Sequence, residues 1–117
     1  MPVVDVEVVG EPPEVAQQLA DALGTVFATG AGRTWVRLRA LPVSHYAEND
    51  TAVGGEELPC FVTVLHSSVP QGAALDRELA AVTASVADVL GRDRARVHVE
   101  YSPPATGRQA FGGRLVR

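Results

Sequence analysis

The stretch Ala52-Val53-Gly54-Gly55-Glu56-Glu57-Leu58 returns near the end of the chain as Ala110-Phe111-Gly112-Gly113-Arg114-Leu115-Val116. The return divides the 117 residues into two diverged copies of one unit, and an internal repeat governs the fold before any local propensity does. Upstream of the first copy, Pro2 opens the alternating run Val3-Val4-Asp5-Val6-Glu7-Val8-Val9; upstream of the second, Pro59 opens Cys60-Phe61-Val62-Thr63-Val64-Leu65. Each unit reads as a proline, a strand, a helix, a second strand and a Gly-Gly turn, over about residues 2–58 and 59–117.

The first strand, 3–9, stops at Gly10 and Pro12-Pro13, and Pro13 suits the first turn of a following helix. In that helix Val15, Leu19, Leu23, Val26 and Phe27 recur every three or four residues and share a face, until Gly30-Ala31-Gly32 ends it. The run Thr34 to Leu41 alternates with period two, so Trp35, Arg37 and Arg39 point one way and Val36, Leu38 and Ala40 the other. Strands joined through a helix are expected to be parallel with a right-handed crossover. Pro42 to Leu58 reads as a polar loop with room for a short hairpin strand at Gly54-Gly55. The second unit repeats the order: a strand from Cys60 to Ser67, a helix whose apolar face is Leu75, Leu79, Val82, Val86 and Leu90, and a strand from Arg96 to Tyr101. Pro103-Pro104 stops that strand, and Phe111-Gly112-Gly113 turns into a short terminal one. The fold class is α+β: tandem β-α-β units in one four-stranded mixed sheet, both helices on one face. Val8, Thr63 and Val99 suggest apolar character on both faces of the sheet, and self-association is the economical way to cover the second.

A chain of this length is one domain, residues 1–117, because each half alone is too small to bury a stable core. Hydrophobic residues make up 46% and charged residues 21%, the balance of a soluble globular protein. A net charge of −4 with no Lys/Arg run argues against nucleic acid and against anionic membrane surfaces. Asp5, Glu7 and Glu11 stand where a secretory signal needs a basic start, and no apolar run is long enough to span a bilayer, so a cytoplasmic location is expected. The single cysteine, Cys60, cannot form an internal disulfide and reads as a small buried hydrophobe. His45, His66 and Cys60 lack metal-ligand spacing, so neither a metal nor a cofactor is expected.

Pro2 is the residue with the most chemistry. Aminopeptidases remove Met before a residue this small, which leaves a free proline whose secondary amine carries an exposed lone pair. An α-amino group titrates near pH ~8, and a nearby cation or partial burial lowers that toward the range where a general base works best. Pro59 is internal, so its nitrogen is an amide without basicity.

Pro2, the two matched Gly-Gly turns and the β-α-β order together resemble the tautomerase superfamily, over essentially the whole chain. The second half is closer to its macrophage migration inhibitory factor branch, through Pro59-Cys60, Leu65-His66-Ser67 and Arg96-Val97-His98-Val99-Glu100-Tyr101. The first half, through Val36-Arg37 and Val53-Gly54-Gly55, is closer to the short 4-oxalocrotonate tautomerases. The resemblance implies that Pro2 is the catalytic base, that Arg37 binds substrate, and that Ser67 matches a substrate-binding position directly while Ser68 replaces an isoleucine. It places His98 and Glu100 where a tyrosine and an asparagine line the relatives' pocket, and Arg33 near a pocket lysine. The second family arginine has no counterpart, since Gly10, Glu11 and Pro12 stand there, which argues against the usual dicarboxylate substrate. The resemblance also implies a homotrimer with an active site at each subunit boundary.

The expected activity is cofactor-independent tautomerisation of a small 2-oxo acid, a small-molecule carboxylate. The base is Pro2; Arg37 or Arg39 grips the carboxylate with paired hydrogen bonds, and His98 donates to the developing enolate. Tyr46 and Arg108 lie in loops that could border the site. Two alternatives use the same scaffold. One is a proline-dependent hydratase, dehalogenase or decarboxylase in which Glu100 activates water; the other is a catalytically silent trimeric binding protein.

Overall fold

The computed structural model describes residues 2–117; the expected removal of Met1 lies outside the described residues. Strand β1 (Val3–Val9) is built by strict alternation: Val4, Val6 and Val8 are fully buried, while Val3, Asp5 and Glu7 face the other way. β2 (Trp35–Leu41) runs parallel to β1, β3 (Cys60–Leu65) runs antiparallel to it, and β4 (Val97–Tyr101) runs parallel to β3. The order β2-β1-β3-β4 puts the first strand of each unit at the centre, where they pair with Val6 opposite Val62.

Both helices, α1 (Ala16–Val26) and α2 (Gly72–Leu90), cover one face of this sheet. Leu19 and Leu23 of α1 and Val82, Val86, Ala87 and Leu90 of α2 form one core with Val4, Val6, Val8, Cys60, Val62, Val64 and Val97. Replacing Leu19 or Leu23 by Ala in such a core costs about 2–5 kcal/mol. Among the described residues no helix is long and apolar enough to cross a membrane.

Several expectations are corrected by the packing. Helix α1 starts at Ala16, not at Pro13, whose carbonyl instead accepts the Val15 amide at 3.0 Å. It ends at Val26, before the glycines, because Ala28 takes a left-handed conformation (φ 53°) and Thr29 N–H bonds back to the Gly24 carbonyl. α2 ends conventionally at Gly91, φ 66°, with Arg92 N–H on the Ala87 carbonyl. Leu79 is 37% exposed rather than part of the apolar face. The inward row at spacing four is Glu78, Val82, Val86 and Leu90, so a carboxylate occupies the place expected of a leucine. Val8 and Val99 pack on the helix-covered side, so of the three residues taken as evidence for two apolar faces only Thr63 lies on the open one.

The two Gly-Gly turns also differ. Gly112 and Gly113 both have positive φ (59° and 82°), the requirement of a two-residue type I′ turn, and join β5 (Ala110–Phe111) to β6 (Arg114–Leu115). At Gly54-Gly55 only Gly55 has positive φ, and a single 3-10 turn over Gly55–Glu57 forms in place of the expected hairpin strand. The terminal strand finds its partner within the chain, and Phe111 packs edge-on against Trp35 at 5.6 Å.

Candidate functional site

The open face of the sheet carries the charged side chains of β1, β2 and β4 among exposed aromatics, arranged in rows by the register. One row runs Arg37, Asp5, Thr63, Glu100; the next, two residues along, runs Arg39, Glu7, Phe61, His98. Within the first row Arg37 grips Asp5 with two hydrogen bonds, Nε to Oδ1 at 2.5 Å and a terminal nitrogen to Oδ2 at 2.8 Å. Arg39 adds a longer contact to the same carboxylate at 3.5 Å. The bonded Asp5 carboxylate holds the Arg37 guanidinium above its ordinary pKa, so its charge is permanent.

A cavity of about 320 Å³ opens at the end of this face where β1 begins. Val3, Asp5, Arg37, Thr63 and Leu65 line it from the sheet; Ser102, Pro103, Arg108 and Gln109 line it from the segment after β4. That segment is fastened down by backbone bonds. Ser102 N–H donates to Val64, Ala105 N–H to His66 at 2.8 Å, and Arg108 N–H and Gln109 N–H both donate to the Ala105 carbonyl at 2.9 Å. Ser67 contributes through its carbonyl, which accepts the Thr106 amide and hydroxyl, so it anchors this wall.

Pro2 precedes Val3 of the cavity lining; its ring is fully buried and its carbonyl accepts the Trp35 amide at 3.1 Å. The structure thus places Pro2, Arg37 and Arg108 at one end of the sheet, with Ser67 behind the wall. Glu100 lies in the Arg37 row but on the far edge strand, and it does not line the cavity. Arg39 lines a separate groove with Pro12, Pro13, Glu14 and Gln17. His98 stands against Phe61 at 5.5 Å between rings, and Tyr46 joins them from the loop at 6.0 Å from Phe61, so Tyr46 groups with His98 and not with Arg108. Arg33 lies just before β2 and outside the lining. Arg96, just before β4, binds Glu48 at 2.6 Å and the Glu57 carbonyl. Hydrogen bonds from Tyr46 and Arg96 hold the Glu48 carboxyl below its ordinary range.

On the covered face, behind the cavity wall, Glu78 of α2 accepts from the Tyr101 hydroxyl at 2.8 Å and contacts His66 Nε2 at 2.9 Å. Sequence reading missed this knot; the signal was Glu78 standing four residues before Val82 in the inward row. Asp5 was missed as a partner of Arg37 because they lie 32 residues apart and only the strand register joins them. Cys60 is fully buried, and desolvation pushes its thiol up to about 11. Among the described residues no three His, Cys, Asp or Glu side chains converge as a metal site. A larger cavity, about 510 Å³, lies beside the end of α1 but offers Asp21 as its only charged group.

No protein-family model matches the sequence, and no curated protein is significantly similar to it. Solved structures do match. Pt0534 inactivated by 2-oxo-3-pentynoate is 16% identical with a TM-score of 0.73, over 97% of this chain and 95% of that one. The macrophage migration inhibitory factor homologue from Prochlorococcus marinus is 15% identical with a TM-score of 0.70, over 97% of each chain. A wild-type fused 4-OT, an asymmetric trimer, is 16% identical with a TM-score of 0.71, over 97% of this chain and 94% of that one. At these identities the likeness is one of fold. The α+β fold of this chain, two β-α-β units in one sheet, is the fold of these macrophage migration inhibitory factor and fused 4-OT structures.

Proposed function

We propose that the protein is a cofactor-independent tautomerase or isomerase, active as a homotrimer, in which the free amine of Pro2 moves a proton between carbon and oxygen of a small 2-oxo acid. The observation that carries the reading is the position of Pro2, heading a central strand directly before Val3, which lines a cavity that also includes two arginines. With Met1 attached the nitrogen is an amide; cleavage converts it to a secondary amine. The net positive charge of the cavity lining disfavours the ammonium form and favours a neutral base near neutral pH. The amine takes the proton from the carbon beside the carbonyl, the electron pair moves onto the carbonyl oxygen, and the proton is returned at another position of the conjugated system. Cationic groups at the cavity hold the carboxylate and stabilise the enolate charge. The hydratase alternative needs a carboxylate free to activate water, and Asp5, the one that lines the cavity, is bonded to Arg37 through both oxygens.

The test uses 2-oxo-3-pentynoate, the reagent that inactivates Pt0534. Its electron-poor alkyne accepts addition of a neutral amine, so the processed protein should gain one reagent mass on the Pro2 peptide and lose enol turnover in parallel. Labelling elsewhere with Pro2 unmodified, or equal turnover by unprocessed protein, would overturn the reading.

A further inference from the structure

We infer that Asp5 and Arg108 set the ligand class of this cavity: Asp5 neutralises Arg37, and Arg108 is the anchor for a single carboxylate, so the site selects 2-oxo monocarboxylates over dicarboxylates. The inference deepens the 2-oxo-acid reading and rests on it for the ligand class.

The charged groups lining the cavity are Asp5, Arg37 and Arg108, which leave one net positive charge. Arg37 is 69% exposed at its side chain yet spends its bidentate edge on Asp5, which is only 25% exposed. A guanidinium already paired through that edge cannot offer the same geometry to a ligand carboxylate. Arg108 differs. Among the described residues its side chain makes no ion pair, while two backbone bonds onto the Ala105 carbonyl fix its segment. Ala105 is itself 2% exposed and tied to His66, so the free cation stands on a held platform. The uncharged lining is mixed, with Val3, Leu65 and Pro103 apolar and Thr63, Ser102 and Gln109 polar. One free cation in a cavity that also holds Val3, Leu65 and Pro103 fits an anion with a single carboxylate and a hydrocarbon tail. A second carboxylate finds no second unpaired cation in the lining and meets the like charge of Asp5 instead.

The probes are 2-oxopentanoate and 2-oxoglutarate, which share a five-carbon 2-oxo skeleton and differ in the terminal carboxylate. Calorimetric binding to the processed, assembled protein should favour 2-oxopentanoate. Arg108→Gln should weaken that binding by roughly 10- to 100-fold, the worth of a charge-assisted hydrogen-bonded pair. Asp5→Asn frees Arg37 and should tighten 2-oxoglutarate by about tenfold relative to 2-oxopentanoate. Where Asp5→Asn fails to fold, the double variant Asp5→Asn with Arg37→Gln restores the single positive charge and should bind 2-oxopentanoate within about threefold of the parent. Unchanged 2-oxopentanoate binding in Arg108→Gln overturns the inference, as does a parent that binds 2-oxoglutarate at least as well as 2-oxopentanoate. Binding is read without turnover. A protein that binds in this pattern but isomerises nothing sinks the Pro2 reading alone, and one that turns over with Arg108→Gln unaffected sinks this inference alone.

Discussion

Pro2 and Pro59 head the two central strands, yet only one of them can become an amine. The strands are also one residue out of phase: the buried positions follow Pro2 at Val4, Val6 and Val8 but follow Pro59 at Cys60, Val62 and Val64. Pro2→Ala exchanges a ring-constrained secondary amine for a mobile primary one. Steady-state assay with a 2-oxo acid enol should show turnover down by ~100- to 10,000-fold, the range of a positioned base. Arg37→Gln leaves Asp5 as an unpaired anion near the start of β1. That favours the protonated amine, raises its pKa, and should move the ascending limb of the pH–rate profile to higher pH. Cys60 makes the opposite prediction. With its thiol raised to about 11 and buried, it should resist alkylation at neutral pH in the folded protein, and Cys60→Ala should retain most of the turnover.

At the scale of elements, two polar knots hold what hydrophobic patterning leaves loose. Glu78 joins α2 to the ends of β3 and β4 through His66 and Tyr101. Tyr101→Phe removes one hydrogen bond and should lower stability in urea by about 0.5–1.5 kcal/mol. Glu78→Ala leaves two polar partners without an acceptor and should cost more. The second knot, Tyr46, Glu48 and Arg96, closes the long loop onto the start of β4. The Glu48 carboxyl is held below its ordinary value of 4.5, first by the Tyr46 hydrogen bond and then by Arg96. A depressed folded pKa means that its contribution is present above the unfolded value and lost as pH falls through the folded one. Amide protection in residues 42–58, taken relative to the intrinsic exchange rate at each pH, should therefore fall below about pH 4.5 in the parent, while Glu48→Gln should remove that acid step.

For the whole molecule, β2 and β4 are the outer strands of the sheet, and the open face presents Trp35 at 47% and Phe61 at 36% exposure. Unpaired edges and exposed aromatics are features that self-association covers. Sedimentation equilibrium at micromolar concentration should give three times the chain mass. Monomeric behaviour would contradict both the trimer and any site shared between subunits.

The sequence determined the elements and their faces. Period-two alternation in Val3–Val9 and Trp35–Leu41, the spacing of Leu19 and Leu23, and the Gly112-Gly113 turn depend on neighbours a few residues apart, and those the sequence holds. Pro2, Arg37 and Arg39 were legible as residue types with the right chemistry, while Ser67, His98 and Glu100 became candidates only through the family resemblance. Which of them share a cavity was decided by tertiary structure. Strand register, acting across 32 residues, set Asp5 on Arg37, and the fold-back of the segment after β4 brought Arg108 to the same cavity. Ion pairs and cavity walls form between side chains that the chain pattern leaves far apart, and only the packed sheet fixes their distances.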